Sequence, residues 1–185
     1  MRTVVPIGLL AVQPFIESVD SSVFPAKWDD KRWPNTPGPI YGANTDSCGT
    51  GPIHAPYNSG LDHEDFEYIF KQPSNVEELR DVVTAAKVNV LSGYGCDGDS
   101  HWTLSLIQEW WARRQELLQL CLRSKYLSAE LAASSDGVMR VYRRNARYRL
   151  QYVRTELADY LGAYSFFIEE GRLPNESDTM PIYTW

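Results

Sequence analysis

Prolines are concentrated in one stretch of this 185-residue chain and restrict what that stretch can form. Six of the eleven prolines are Pro25, Pro34, Pro37, Pro39, Pro52 and Pro56. Each proline fixes its own φ angle and pushes the preceding residue toward an extended conformation, which excludes long helices and central strands. Residues 25–60 are therefore predicted to form an ordered loop, with a short strand at Ile40–Gly42.

Three long helices are predicted in the C-terminal part of the chain. Their apolar residues recur at three- and four-residue steps, which is the period of a helix with one buried face. The first helix starts at a capping residue, Ser74 or Asn75, and the second starts at Thr103. The three helices extend from 74 to before Gly93, from 103 to about 125, and over 138–161, with Gly162 ending or bending the last.

The fold class predicted from these patterns is α+β, with a loop-rich N-terminal half and a small antiparallel sheet packed on three main α-helices. Alternation over residues 66–70 predicts a strand, and residues 3–16 predict one or two edge strands because prolines interrupt them. A chain of this length is expected to form one domain. Its parts are a loop- and strand-rich region at 1–73, a helical region at 74–174 and a tail at 175–185.

The charge of the chain is acidic and unevenly placed. The net charge is −6, and residues 1–102 carry 7 Lys and Arg against 14 Asp and Glu, a net of −7. An acidic balance argues against general nucleic-acid binding, in which phosphate neutralisation dominates affinity. It suits a protein partner with a basic surface.

The chain is predicted to be cytoplasmic. No stretch approaches the ~20 apolar residues of a membrane span. The N-terminus has one Arg, an apolar run broken by Pro6 and Pro14, and no small-residue cleavage site, so no signal peptide is predicted. The three widely spaced cysteines do not form a disulfide framework and indicate reduced thiols in the cytosol.

Two glycine-rich turn segments, residues 33–65 and residues 92–102, contain residue types that carry chemistry in other proteins. They are called the first and the second glycine-rich turn. Cys48 with His54, and Cys96 with His101, offer two thiols and two imidazoles, a ligand set that zinc accepts. Their spacing is wider than in the usual zinc knuckle, and nothing in the sequence forces the two turns together. A zinc- or thiol-dependent enzyme using these four residues is therefore an alternative, while the main hypothesis assigns no catalytic residue, metal or cofactor.

The same turns carry acidic residues that suit a basic partner. Of the adjacent Trp110 and Trp111 in the second predicted helix, one must point away from the centre of the apolar stripe, and an exposed tryptophan is a typical interface anchor. The predicted partner-binding residues are Asp46, Asp62, Glu64, Asp65, Asp97, Asp99 and Trp110.

An arginine-rich stretch over residues 140–154 contains no acidic residue. Helical spacing places Arg140, Arg143, Arg147 and Arg154 on one face. Such a face either binds nucleic acid or another anion, or is a solvated surface that pairs with the acidic N-terminal half. The charge of that half favours the second interpretation, and a nucleic-acid-binding module is retained as a further alternative.

Three segments together resemble a group of small bacterial proteins. Trp33–Gly42 matches W-P-x-x-P-G-P-x-Y-G, Asp46–Gly51 matches D-x-C-x-T-G, and Gly95–Thr103 matches G-x-D-G-D-x-H-W-T. The resemblance covers roughly residues 30–125 and carries over no catalytic residue. Because the group includes immunity proteins of bacterial toxin systems, the resemblance implies a protein that is not an enzyme and that neutralises a cognate toxin by occluding its active site.

Overall fold

The computed structural model describes residues 18–45, 48–129 and 135–185 and confirms the α+β class. In these residues, short strands lie among the loops of the N-terminal half, and most of the helices follow them. Two predictions, the edge strands within residues 3–16 and the partner contact at Asp46, lie outside the described residues.

The small antiparallel sheet consists of two separate strand pairs in the described part of the chain. Strand β1 (Tyr41–Gly42) pairs with β4 (Tyr94–Gly95), and β2 (Ser59–Leu61) pairs with β3 (Glu67–Ile69). The strands at Ile40–Gly42 and within residues 66–70 are thus confirmed, each one residue or more shorter than predicted. Pro39, two residues before β1, and Gly42, its last residue, keep β1 short, because both residue types weaken strand interiors.

The helices begin at the predicted capping residues. Asn75 accepts a hydrogen bond from the Glu78 backbone N–H at 2.9 Å, and Thr103 accepts one from the Leu106 N–H at 3.3 Å. Such caps satisfy backbone N–H groups that have no partner inside the helix. The helices are α1 (Gly51–His54), α2 (Val76–Val88), α3 (Leu104–Ala112), α4 (Arg114–Leu122), α5 (Gly137–Thr155) and α6 (Leu157–Glu170).

Two of the predicted helices are divided, which corrects the expectation of three continuous ones. At Arg113 and at Glu156 the backbone leaves helical geometry, so α3 is separated from α4, and α5 from α6. Gly162 does not end a helix but lies buried inside α6. A Cβ atom there would lie 2.7 Å from the Pro181 carbonyl oxygen, so glycine allows the C-terminal tail to cross the helix closely.

The proline-rich stretch is the most unexpected part of the fold, because residues 34–43 are all buried. This buried segment lies between two hydrophobic clusters. Ile40 belongs to the cluster under α2, and Trp33, just before the segment, packs on the cluster formed by α3, α4, α5 and α6. A buried backbone without regular strand partners needs other hydrogen-bonding groups, since an unpaired polar group in the interior is costly.

Side chains supply many of those hydrogen bonds. Asn35 donates to the Arg32 and Gly42 carbonyls, and its own oxygen accepts the N–H groups of Gly42 and Ile69. Gln72 donates to the Thr36 carbonyl at 3.0 Å and the Ile40 carbonyl at 2.7 Å, and accepts from the Ile40 N–H at 3.2 Å.

Three aromatic side chains donate hydrogen bonds to further carbonyls of this region. Tyr160 donates to Pro37 at 2.8 Å. Trp102 donates to Gly38 at 3.2 Å. Trp110 donates to Trp33 at 2.8 Å. The buried segment is therefore held by α6 and by Trp102, just before α3, while Trp110 of α3 holds the residue that precedes the segment.

Among the described residues, none of the helices has both the length and the apolar content that crossing a membrane requires.

Replacing Gln72 by alanine is expected to destabilise the protein by about 3 kcal/mol. The change leaves the buried Ile40 N–H and the Thr36 and Ile40 carbonyls without their partner, and each unsatisfied group costs about 1–3 kcal/mol. Urea unfolding measures the loss. Gln119→Ala, at an exposed position on α4, is the matched control and is expected to change stability by less than about 0.5 kcal/mol. Equal stability of the two variants would contradict the bonding role of Gln72.

Candidate functional site

Four of the six tryptophans line one surface groove, which we call the tryptophan groove. Its volume is about 460 Å³. Such a volume lies in the range of small-ligand or side-chain binding sites. The lining residues are Trp28, Asp29, Lys31, Trp33, Trp102, Leu106, Glu109, Trp110 and Arg113.

The groove walls come from two distant parts of the chain. Trp28 and Asp29 belong to the 3-10 turn Trp28–Asp30, while Leu106, Glu109 and Trp110 belong to α3. Since the Trp102 and Trp110 indoles bond to backbone carbonyls of the buried segment and of Trp33, their rings are fixed in place. Only the ring faces and edges remain for contact with another molecule.

The second glycine-rich turn also supports the groove. His101 stacks on Trp28, with ring centroids 4.8 Å apart and planes 9° from parallel. Trp28 in turn contacts Trp102 edge to face at 5.1 Å. Offset-stacked and edge-to-face arrangements are the favourable ones for aromatic rings. The turn therefore holds the groove in shape through His101.

Two cations of the chain lie over the tryptophan rings. The Lys31 Nζ atom is 4.8 Å from the ring centroids of both Trp28 and Trp102. The Arg113 guanidinium lies 4.0 Å from the ring of Trp33, and it also pairs with Glu116. A cation over an aromatic face is attracted by about 0.5–2 kcal/mol, depending on its exposure to water.

Lys31 differs from Arg113 because none of the ion pairs in the described residues involves it. Its backbone is fixed by an antiparallel bridge to Ala43 and by the hydrogen bond from its N–H to the Trp28 carbonyl. Burial lowers the pKa of the Lys31 ammonium to about 8. Desolvation disfavours the charged form, and no carboxylate of the described residues compensates for it.

The predicted acidic contact surface is largely engaged within the protein. The expectation that Asp62 lies on a contact surface is corrected, because its side chain is 1% exposed and forms an ion pair with Arg32. It also accepts the backbone N–H groups of Glu64 and Phe66, which shapes the turn between β2 and β3. Glu64 is exposed but bonded to Arg32, and that bond lowers the pKa of its carboxyl. The Asp62 charge is therefore not available to a partner.

The other acidic residues in these turns also have partners. Asp65 accepts hydrogen bonds from Lys125 and Tyr126. Asp99 accepts one from the Tyr164 hydroxyl at 2.6 Å. These bonds fasten the two turns to the helical part of the chain.

Asp97 joins the second turn to β1 and to the groove. Its carboxylate accepts a hydrogen bond from the Tyr41 hydroxyl at 2.7 Å and lies 3.2 Å from His101 Nε2. Burial raises the pKa of this carboxyl, but the bonds from Tyr41 and His101 outweigh burial and lower it. Asp97 thus positions His101 against Trp28.

Trp110 is only 8% exposed, so the prediction of an exposed anchor is corrected. Its indole N–H points inward to the Trp33 carbonyl. Trp110 nevertheless lines the tryptophan groove, where part of its ring can be contacted.

The alternative metal set is not assembled. Within the described ranges, which include all four residues, no group of three or more His, Cys, Asp or Glu side chains converges to hold a metal ion. Cys48 is exposed on its turn, whereas His101 is committed to Trp28 and Asp97. Burial, with a contribution from Asp97, raises the pKa of the Cys96 thiol.

The first glycine-rich turn is held by a buried carboxylate. Glu67 accepts hydrogen bonds from the Tyr94 hydroxyl at 2.6 Å, the Gly51 N–H at 3.1 Å and Asn89 at 3.3 Å. Ser59 bonds to the same Tyr94 hydroxyl. With three donors, this carboxylate acts as a structural clamp between β3, β4 and the start of α1.

The arginine-rich stretch lies in helix α5. The expectation is that the acidic N-terminal half neutralises its charges, but the described residues do not show such pairing. Arg140, Arg144, Arg147 and Arg154 are exposed, and none of the ion pairs formed by described residues involves them. Pairing with the acidic N-terminal half is therefore wrong for the residues that the structure describes. Acidic residues of that half pair instead with cations elsewhere. Arg143 is partly buried, and Arg149 is fully buried, where it donates to the Leu61 carbonyl.

Sequence reasoning missed the groove because its walls are far apart in the chain. About 70 residues separate Trp28 and Trp33 from Trp102 and Trp110, and no local spacing connects the two pairs. The available signal was the pair of tryptophans around Lys31 at the start of the proline-rich stretch.

Comparison with known proteins finds no protein-family model, no curated protein and no solved structure that matches this chain.

The lowered pKa of Lys31 predicts a specific pH dependence of stability. Because the folded-state pKa of about 8 lies below the ordinary value of 10.5, the unfolded state binds more protons between these pH values. The free energy of unfolding of the wild type should therefore rise with pH, relative to Lys31→Met, by up to about 1.4 kcal/mol per pH unit. Urea unfolding of both proteins at pH 7, 8, 9 and 10 measures the difference, in which ionisations common to both cancel. A difference that does not change with pH would contradict the burial of a charged Lys31.

Proposed function

We propose that this protein is a binding protein whose tryptophan groove receives a segment of a partner protein. Following the resemblance of residues 30–125, the partner is a cognate bacterial toxin, and binding neutralises it by covering its active site. The observation that carries the proposal is the convergence of four tryptophans on one groove with a rigid frame.

The composition of the groove supports protein recognition. Tryptophan and arginine are the residue types most enriched among those that dominate binding energy at interfaces. The groove offers both kinds of anchor, because its tryptophan rings lie beside the Arg113 guanidinium, which is placed over the ring of Trp33. Its rim includes Leu106, which is 38% exposed and adds apolar surface on α3. Burying such a surface against a partner gives a favourable free energy without any chemical step.

The rigidity of the groove supports tight binding. Trp102 and Trp110 are already bonded to the backbone, so binding does not have to order them. Ordering a mobile side chain costs about 0.5–1.5 kcal/mol at an interface. A preformed site avoids that cost for these two residues.

The enzyme alternative has less support from the described residues. Its four residues, Cys48, His54, Cys96 and His101, do not form a common ligand cluster. The most exposed acidic residues of the two turns are bonded to neighbouring side chains, which suits a structural role.

The test uses the product of the gene adjacent to the one that encodes this chain. Leu106→Glu places a charge on the groove rim and is expected to weaken binding at least tenfold by calorimetry and to abolish protection of cells that express the toxin. Leu122→Glu is the matched control, because Leu122 is 40% exposed on α4 and does not line the groove. If the adjacent gene product does not bind at micromolar concentration, the proposal fails. Equal loss in both variants would remove the groove as the binding site.

A second candidate function is nucleic-acid binding by the arginine face of α5. The observation that favours it is that four exposed arginines have no ion-pair partner among the described residues. Arg140 and Arg154 are 14 residues apart, which corresponds to about 21 Å along the helix axis. That length spans several phosphates of a duplex.

A labelled 20-base-pair DNA duplex tests this candidate by fluorescence anisotropy. Binding at 50 mM salt that weakens steeply by 200 mM would support it, since bound arginines release counterions. Arg147→Glu should then reduce affinity and the salt dependence, whereas Arg80→Glu on the exposed surface of α2 should not. Absence of binding at 50 mM salt would eliminate this candidate.

A further inference from the structure

We propose that the tryptophan groove recognises an acidic side chain: the partner segment places an aspartate or glutamate carboxylate against Lys31 Nζ and an apolar or aromatic neighbour on the tryptophan rings. Because the groove is taken as the partner site, this proposal rests on the proposed function. It reverses the charge expected from the sequence, in which acidic loops of this protein would meet a basic partner.

The geometry around Lys31 supports a carboxylate. The ammonium lies over two tryptophan rings, at 4.8 Å from each, and forms no ion pair with any described residue. A partly buried cation without a counterion is unfavourable, and a carboxylate brought by a partner would relieve that cost. The Lys31 ammonium is therefore a groove cation to which no described residue provides a counterion, and a partner carboxylate could provide it.

The other charged groups of the groove do not supply that counterion. Glu109 accepts a hydrogen bond from Ser105 and is exposed, and Arg113 is paired with Glu116. Asp29 lines the groove from the 3-10 turn, but it does not lie within ion-pair distance of Lys31. The lowered pKa of Lys31 is caused by burial alone, which agrees with the absence of a nearby compensating carboxylate in the described residues.

The rest of the groove surface favours an apolar residue next to the acidic residue of the partner. Leu106 and the rings of Trp33 and Trp110 form an apolar wall beside Lys31. An aromatic or large apolar side chain next to the acidic residue would be buried there. The ligand class is thus a short acidic–aromatic segment of a protein.

The experiment uses two peptide probes and isotope-labelled protein. The probes are acetyl-Gly-Trp-Glu-Gly-amide and the same peptide with Gln in place of Glu. Shifts of the indole N–H signals of Trp28, Trp33, Trp102 and Trp110 are followed by NMR during titration at pH 7. The Glu peptide is expected to bind about tenfold or more tightly than the Gln peptide, because a carboxylate accepts a stronger hydrogen bond from an ammonium than a neutral amide does.

Two variants test the role of Lys31. Lys31→Met should remove the preference for Glu over Gln while leaving weak binding of both peptides. Lys27→Met, at an exposed position just before the 3-10 turn, should keep the preference. If Lys31→Met does not fold, the wild type provides the same test, since the preference should disappear between pH 7 and pH 10 as the Lys31 ammonium loses its proton. The other charged side chains that line the groove are Asp29, Glu109 and Arg113.

The possible outcomes separate this proposal from the proposed function. Equal binding of the Glu and Gln peptides would overturn the carboxylate preference and leave the groove as a binding site. Failure of both peptides to shift the indole signals at 10 mM would overturn the carboxylate preference and count against the groove itself. A third peptide, acetyl-Gly-Trp-Gly with a free C-terminus, identifies the source of the carboxylate. Binding of that peptide alone would overturn recognition of an acidic side chain in favour of a chain terminus.

Discussion

The rest of the structure depends on how one proline-rich segment is accommodated in the interior. Residues 34–43 are buried, yet most of them are not in a strand, so their backbone groups need hydrogen-bond partners other than those of a strand ladder. Asn35 and Gln72 provide these partners from within the N-terminal half, and Trp102 and Tyr160 provide them from the helical half. Each buried backbone group left without a hydrogen-bond partner would cost about 1–3 kcal/mol. The hydrogen bonds that satisfy this one segment therefore connect the two halves of the chain.

The tryptophan groove follows from the same constraint. The indole N–H groups of Trp102 and Trp110 point inward to the backbone, and the small exposed part of each ring lines the groove. Lys31 directly follows the 3-10 turn, and its ammonium lies over the rings of Trp28 and Trp102. The hydrogen bonds that satisfy the buried backbone thus fix a rigid aromatic groove, and its Lys31 ammonium forms no ion pair with the residues that the structure describes. This arrangement is the basis of the proposed recognition of a partner.

Charge in this protein is used mainly to organise turns. Asp62, Asp97 and Asp99, all expected at a contact surface, instead accept hydrogen bonds from Arg32, Tyr41 and Tyr164. The net acidity of residues 1–102 correctly indicated where carboxylates are abundant, but it did not indicate their orientation. Orientation depends on donors that are 30 to 65 positions away in the chain, and composition carries no information about them.

The sequence by itself determined the local elements. Capping residues at Asn75 and Thr103, the apolar periodicity of the helices and the proline content of residues 25–60 define the α+β class, because these signals act between near neighbours. Tertiary structure alone decided that the proline-rich segment is buried, that the cysteines and histidines do not assemble into a common ligand cluster among the described residues, and that four tryptophans meet around Lys31. Those outcomes depend on pairing buried polar groups across the whole chain, a long-range condition that no local pattern encodes.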